Sequence, residues 1–190
     1  MWDGKKPEDN LTFSGAKYGT VDEWSDGILT RGVLLDVPKH RGEPYVTLDK
    51  PVHGWELEDI DKAEGVTLEP GDAIVVYSGR DAFARDHDGI WALAGGERAG
   101  LHSSCMPFIR DNDASLLVWD MMDASPNEYG LGWGVHLVIA AYGVALVDNS
   151  LLEPLAKVCA EEGRYEFMLT VNPLFVPGGT GSPANPIAVF

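Results

Sequence analysis

Cysteine, positive charge and long apolar runs are all scarce in this chain. Its two cysteines, Cys105 and Cys159, are far apart and form no CxxC pair, so no disulfide framework is indicated and a reducing, cytoplasmic setting is expected. Both lie in apolar helical contexts (SSCMPF and LAKVCAEEG), where the thiol serves as a small hydrophobe rather than a nucleophile. Lysine and arginine total 14 against 30 aspartates and glutamates, a net charge of -16 with a pI near 4.5. That balance repels phosphate backbones and excludes nucleic acid as a partner; the acidity reads as a solubility feature. No stretch approaches the length of a membrane span, and MWDGKKPEDN lacks the apolar segment of a signal peptide.

What is present suits a folded domain. Of the 190 residues 45% are hydrophobic and 9% aromatic, enough for one domain, residues 1–190, with a sizeable core. Met1 to Ser25 reads as loop-rich, opening on a Trp2-Asp3-Gly4 turn, with at most a short helix around Gly15 to Tyr18. Gly32 to Val37 is a short continuous apolar run before Pro38, the pattern of a strand buried on both faces. A polar excursion, Lys39 to Val52, follows. Glu56 to Glu64 has acidic residues early and Gly65 after it, predicting a short helix. The Pro70-Gly71-Asp72 turn leads into the strand Ala73 to Tyr77, and Ser78 to Gly100 is a second excursion read as a flap, an oligomer contact or a disordered segment. Pro107 fits only a first turn, so a helix is expected to begin near Ser103 or Ser104, opened by Ala99-Gly100-Leu101-His102. Asn149-Ser150 is read as the cap of a helix Leu151 to Glu162 with Leu151, Leu152, Leu155, Val158 and Cys159 on one face. Strands Glu166 to Val171 and Ile187 to Phe190 complete the series. Strands alternating with helices predict an α/β fold with a mixed sheet, some of its pairing parallel.

The informative stretch is Leu116 to Asn149. A buried strand ends at Asp120, a Gly/Pro/Asn-rich loop follows, a short apolar helix runs from His136 to Gly143, and a second buried strand ends at Asp148. His136 and Asp148 therefore come to the ends of adjacent elements. Imidazole and carboxylate together suit Zn²⁺ or Mn²⁺, though either residue alone is as readily a core histidine or part of a helix cap. The twelve-residue His136 to Asp148 spacing, with Asp where Glu is usual, resembles the metal-dependent cyclase superfamily that includes kynurenine formamidases and isatin hydrolases. Arg31-Gly32-Val33-Leu34-Leu35-Asp36 is similar to the same family. The resemblance implies a swivelling β/β/α cyclase-like domain and a divalent metal held by His136 and Asp148.

The family's His-x-Gly-Thr-His-x-Asp motif, which supplies most of the metal shell and an acid-base histidine, is absent. Its usual place lies just before a segment similar to Met1-Trp2-Asp3-Gly4-Lys5, so the resemblance implies an N-terminally truncated member whose metal site is incomplete and which is silent by itself. His102 is a candidate catalytic residue, polarising a carbonyl or holding a water, or else making local hydrogen bonds at a helix start. Asp120, a candidate substrate-binding residue, either orients a ligand histidine or accepts backbone hydrogen bonds from the Asp123 to Pro126 turn. Ser182, in the Gly-Ser-Pro loop of Pro177 to Pro186, is implied to line the substrate pocket; that loop lacks the lysine of a phosphate loop. His40, His53 and His87 sit in polar loops and are expected to be solvated. The function implied is a metal-dependent hydrolase of a small aryl or cyclic amide, of the kind that serves tryptophan catabolism. A non-catalytic binding or structural member, or a lyase or cyclase on the same scaffold, are the alternatives. The expected partners are a small-molecule substrate and further copies of the chain, with Trp55 and Trp91 as large side chains needing cover.

Overall fold

The computed structural model describes residues 4–88 and 96–190. Trp2, Asp3 and Trp91 fall outside them, and with them the expected opening turn and half of the expected self-association surface.

A short helix α1 (Pro7–Asn10) leads into a hairpin of β1 (Leu11–Thr12) and β2 (Gly15–Ala16). The short helix expected at Gly15 to Tyr18 is replaced by this returning strand. The Asn10 carboxamide oxygen accepts the N–H groups of Lys17 at 3.0 Å and Tyr18 at 2.8 Å, which ties the segment back instead of coiling it.

The central sheet begins with β3 (Ile28–Asp36), longer than the apolar run that announced it. Ile28 to Arg31 are at most half-buried, so they carry no apolar signal, and pairing with a neighbouring strand makes them β. The run stops at Asp36, not Val37. The Asp36 carboxylate accepts the Lys39 N–H at 2.9 Å and caps a five-residue helix α2 (Val37–Arg41), with Pro38 in its first turn. Helix α3 (Gly54–Glu64) starts two residues earlier than predicted and ends at Gly65, whose φ of 69° is the left-handed cap that glycine supplies. After β4 (Ala73–Tyr77), the excursion expected as a flap opens as helix α4 (Arg80–Asp86). Helix α5 (Cys105–Asp111) starts where Pro107 required, with Ser104 in the cap position. Strand β5 (Leu116–Trp119), a single 3₁₀ turn (Val135–Leu137), helix α6 (Val138–Tyr142) and β6 (Ala145–Val147) follow. Helix α7 (Glu153–Glu162) begins later than predicted, because the Ser150 hydroxyl donates to the Val147 carbonyl instead of capping it. Leu151 and Val158 are correspondingly exposed, and Leu152, Ala156 and Cys159 form the buried face. Strands β7 (Glu166–Val171) and β8 (Ile187–Val189) close the chain.

The six long strands stand in the order β6-β5-β4-β3-β7-β8. The first four are mutually parallel, and β7 and β8 are added antiparallel, so the sheet is mixed. Alternation of side chains splits the core into two layers. Val33, Leu35, Ile74, Val76, Leu117 and Trp119 face α3, α5 and α6. Leu34, Val75, Leu116 and Val118 face α7 together with Phe167 and Leu169. Each fully buried aliphatic side chain contributes about 1.5–3 kcal/mol, so the parallel strands anchor the fold. Their shared direction brings Asp36, Ser78, Asp120 and Asp148 to one edge, the usual place for a site in parallel sheets. No helix of the described residues is long and apolar enough to cross a membrane.

Candidate functional site

His136 stands in the 3₁₀ turn that enters α6, half-buried between two carboxylates. Its Nδ1 lies against Asp123 Oδ2, and its Nε2 lies 3.2 Å from Asp148 Oδ2. The expected convergence of His136 and Asp148 is therefore present. Each carboxylate is itself held. Asp123 is 1% exposed, and its other oxygen accepts the backbone N–H groups of Val135 and His136. The second oxygen of Asp148 accepts the Trp119 indole N–H at 2.6 Å. Burial opposes a charge on the ring, but hydrogen bonds and attraction from Asp123 and Asp148 outweigh it and raise the His136 pKa to about 9. Asp148 is shifted the other way: burial works against ionisation, while His136 and Trp119 hold its carboxyl below the ordinary value.

It is Asp123, three residues on, and not Asp120, that holds the His136 ring. Asp120 is wholly buried at the end of β5 and accepts the N–H groups of Ser78, Gly79, Arg80 and Met121 at 2.7–2.9 Å. It thus accepts backbone bonds, from the β4–α4 turn rather than from the Asp123 to Pro126 turn. Burial pushes its pKa up to about 6 against the pull of the Arg80, Ser78 and Met121 N–H groups and the Arg80 charge. Asp123 had a signal of its own, an acidic residue in the loop between β5 and His136, but nothing in spacing separated it from a turn aspartate.

His102 lies before α5, not within it, in a segment bridged to Val52, and is 4% exposed. Its Nε2 meets Glu128 Oε2 at 2.8 Å, and its Nδ1 accepts the Ser104 N–H at 3.1 Å. His53, expected in solvent, is half-buried, its ring 4.4 Å from that of His102. Its pKa is lowered, by burial first and by His102 second. His40 and His87 are exposed as expected. The His102 and His136 regions adjoin, since a Cβ on Gly134 would come within 2.0 Å of Ser103 Oγ. Ser182 is elsewhere: its hydroxyl accepts the Leu174 N–H at 3.0 Å and donates to the Pro183 carbonyl, within a loop that packs on the N-terminal hairpin. Both cysteines are buried; Cys105 Sγ donates to the Val52 carbonyl and burial raises both thiols, Cys159 to about 12.

A divalent ion would find two suitable donors, His136 Nε2 and Asp148. Asp123 fixes the ring by its other nitrogen, the arrangement that orients ligand histidines in metal sites. Among the described residues no group of three or more His, Cys, Asp or Glu is placed to hold an ion.

The sequence profile described as "Putative cyclase" matches residues 10–126. The structure is similar to that of a novel cyclase, with 28% identity and a TM-score of 0.83 over 100% of this chain and 65% of that one. It is also similar to isatin hydrolase A of Labrenzia aggregata, crystallised with benzyl benzoate, at 16% identity and TM-score 0.67, covering 93% and 68% of the two chains. Isatin hydrolase A of Ralstonia solanacearum gives 15%, 0.66, 94% and 67%. At those identities the likeness to the isatin hydrolases is one of fold. The chain spans 65% of the length of the cyclase structure it matches. No protein of curated function matches the sequence significantly.

Proposed function

Because this chain belongs to the cyclase family, we propose that it is the part of a metal-dependent hydrolase, acting on a small aryl or cyclic amide, that supplies His136 and Asp148 as metal donors. The observation that carries this reading is the pinned histidine. Asp123 holds Nδ1 and the turn's backbone together, leaving Nε2 directed at Asp148 at the open edge of the sheet. Zn²⁺ or Mn²⁺ bound there would supply a Lewis acid and a water of lowered pKa, about 7 in well-formed zinc sites. The chain's own residues do the rest. Trp119 fixes the Asp148 carboxylate by one oxygen and leaves the other for the ion. His102, with Nε2 on Glu128, is the acid-base candidate beside this pair.

One observation favours a second reading, a non-catalytic member of the family. His136 has a carboxylate at each ring nitrogen, and such an ion-paired cluster has a structural use of its own. Hydrolysis of an aryl formamide and of a cyclic amide, with Mn²⁺ or Zn²⁺ added, separates the two. The assay is run on this chain and on the chain joined to a segment carrying the family's His-x-Gly-Thr-His-x-Asp motif. The hydrolase reading expects turnover in the joined form that falls at least about a thousandfold in His136→Ala. Turnover indifferent to His136→Ala, or absent from both forms, contradicts it.

A further inference from the structure

We propose that Ser104 and His53 form a second, metal-independent acyl-transfer site, with Ser104 as nucleophile, His53 as general base and small aromatic esters as the substrate class. The proposal does not rest on the metal reading. It stands on how four polar groups meet where the Val52–Gly54 and Gly100–Ser104 segments run side by side. Ser104 Oγ lies 3.1 Å from His53 Nδ1 and 3.0 Å from His102 Nδ1, and it accepts the Gly54 N–H at 3.2 Å.

The hydroxyl has one proton to give. His102 Nδ1 already accepts the Ser104 backbone N–H, and its Nε2 is engaged with Glu128. The open acceptor is His53 Nδ1. A serine hydroxyl aimed at an unoccupied imidazole nitrogen within hydrogen-bond reach is the arrangement that activates a serine. His102 is then a positioning residue, holding the Ser104 backbone through a ring that Glu128 orients. The close approach is a built feature: a Cβ on Gly54 would come within 2.3 Å of the Ser104 carbonyl oxygen, so the residue after His53 has to be glycine. The site is reachable. Ser104 and His53 are half-buried, and exposed rings adjoin the two imidazoles: Trp55, stacked on His53 and 63% exposed, and Tyr129, 5.8 Å from His102 and 60% exposed. Two exposed rings beside the imidazoles favour an acyl or leaving group with a flat face.

In the reaction Ser104 Oγ attacks the ester carbonyl carbon while its proton passes to His53 Nδ1. As the new bond forms, the carbonyl π pair moves onto the carbonyl oxygen and returns when the leaving group departs; the Gly54 N–H, on Oγ in the resting site, only holds the hydroxyl in place. The bond from the carbonyl carbon to the alcohol oxygen breaks, and that oxygen takes the proton from His53. Water then attacks the acyl-serine, giving its proton to the same nitrogen, which returns it to Oγ as the acid leaves. Ester and water become acid and alcohol, with no redox partner.

The test uses the intact chain in excess chelator, which silences any metal-dependent activity and so separates this proposal from the one above. A fluorophosphonate probe is reacted and the adduct mapped by peptide mass, alongside hydrolysis of p-nitrophenyl acetate. The expected result is phosphonylation at Ser104, with hydrolysis lost in Ser104→Ala and both rates lowered about a hundredfold or more in His53→Gln. Mapping on the unaltered chain keeps the test independent of whether a variant folds. No adduct at Ser104, chelator-resistant hydrolysis unchanged in Ser104→Ala, or labelling that His53→Gln does not slow would each overturn the proposal.

Discussion

His136 and His102 each touch a carboxylate at neighbouring places on the molecule, and their surroundings give them different uses. His136 has a carboxylate at both nitrogens, and those carboxylates are fixed in turn by backbone N–H groups and by the Trp119 indole. Its ring favours the charged form, with a pKa of about 9, and its position is determined from the sheet outward. His102 has a carboxylate at one nitrogen only, from a glutamate whose side chain is 61% exposed, and at the other a serine and a second imidazole ring. The first arrangement favours positive charge between two carboxylates. The second gathers hydrogen-bonding groups around a hydroxyl. Residue type does not separate the two; what sits on the far nitrogen does.

The largest expected effect that sharpens this contrast is on stability. Asp123→Ala removes a buried carboxylate, leaves two backbone donors without a partner and strips His136 of its main counter-charge. It should cost about 3–5 kcal/mol in denaturant unfolding. A loss under about 1 kcal/mol would mean that Asp123 does not organise the cluster. Glu128→Gln, the corresponding change at the exposed partner of His102, should leave the unfolding midpoint essentially where it is.

The next effect is on pH dependence. A histidine raised from 6.5 to about 9 contributes stability that is fully present below pH 6.5 and is lost as pH rises through 9, at most about 3 kcal/mol in all. Asp148, shifted below its ordinary value, acts in the opposite window, its contribution disappearing as pH falls through its folded pKa. Stability measured from pH 6 to 10 should therefore decline in the unaltered chain, and the decline should be absent in His136→Ala. The same slope in both would show that other groups set it. A smaller effect is expected at Trp119. Replacement by Phe keeps most of the buried volume but frees one Asp148 oxygen, and it should weaken metal binding by roughly tenfold, in the manner of lost outer-shell partners.

Much of this was legible in the chain. The apolar runs at Val33–Leu35, Ala73–Tyr77 and Leu116–Trp119 marked the parallel strands because both faces of each are buried. That His136 and Asp148 meet was legible because one short helix and one short strand leave little freedom between them; their reading as metal donors came from the family resemblance. What stayed hidden depended on contacts distant in sequence. Ile28 to Arg31 are strand because β7 pairs with them, and nothing local shows it. Asp120 and Asp123 are both aspartates after a buried strand. Which of them turns to the β4–α4 backbone and which to His136 is decided by a loop return from Asp123 to His136, 13 positions on, that no period encodes. His53 looked like a solvated loop residue because its partners, Ser104 and His102, are about fifty positions away and meet it through a bridge at Val52 and Leu101.

The most direct test of the metal reading is calorimetric titration of Zn²⁺ into the chain at pH 7 in two buffers of different ionisation enthalpy. If the ion takes Nε2 of His136, it has to displace the proton held there at a pKa of about 9. Binding should therefore release about one proton, tighten roughly tenfold per pH unit up to that value, and disappear in His136→Ala. Binding with no proton release, or binding that survives His136→Ala, would contradict the assignment of His136 and Asp148 as metal donors.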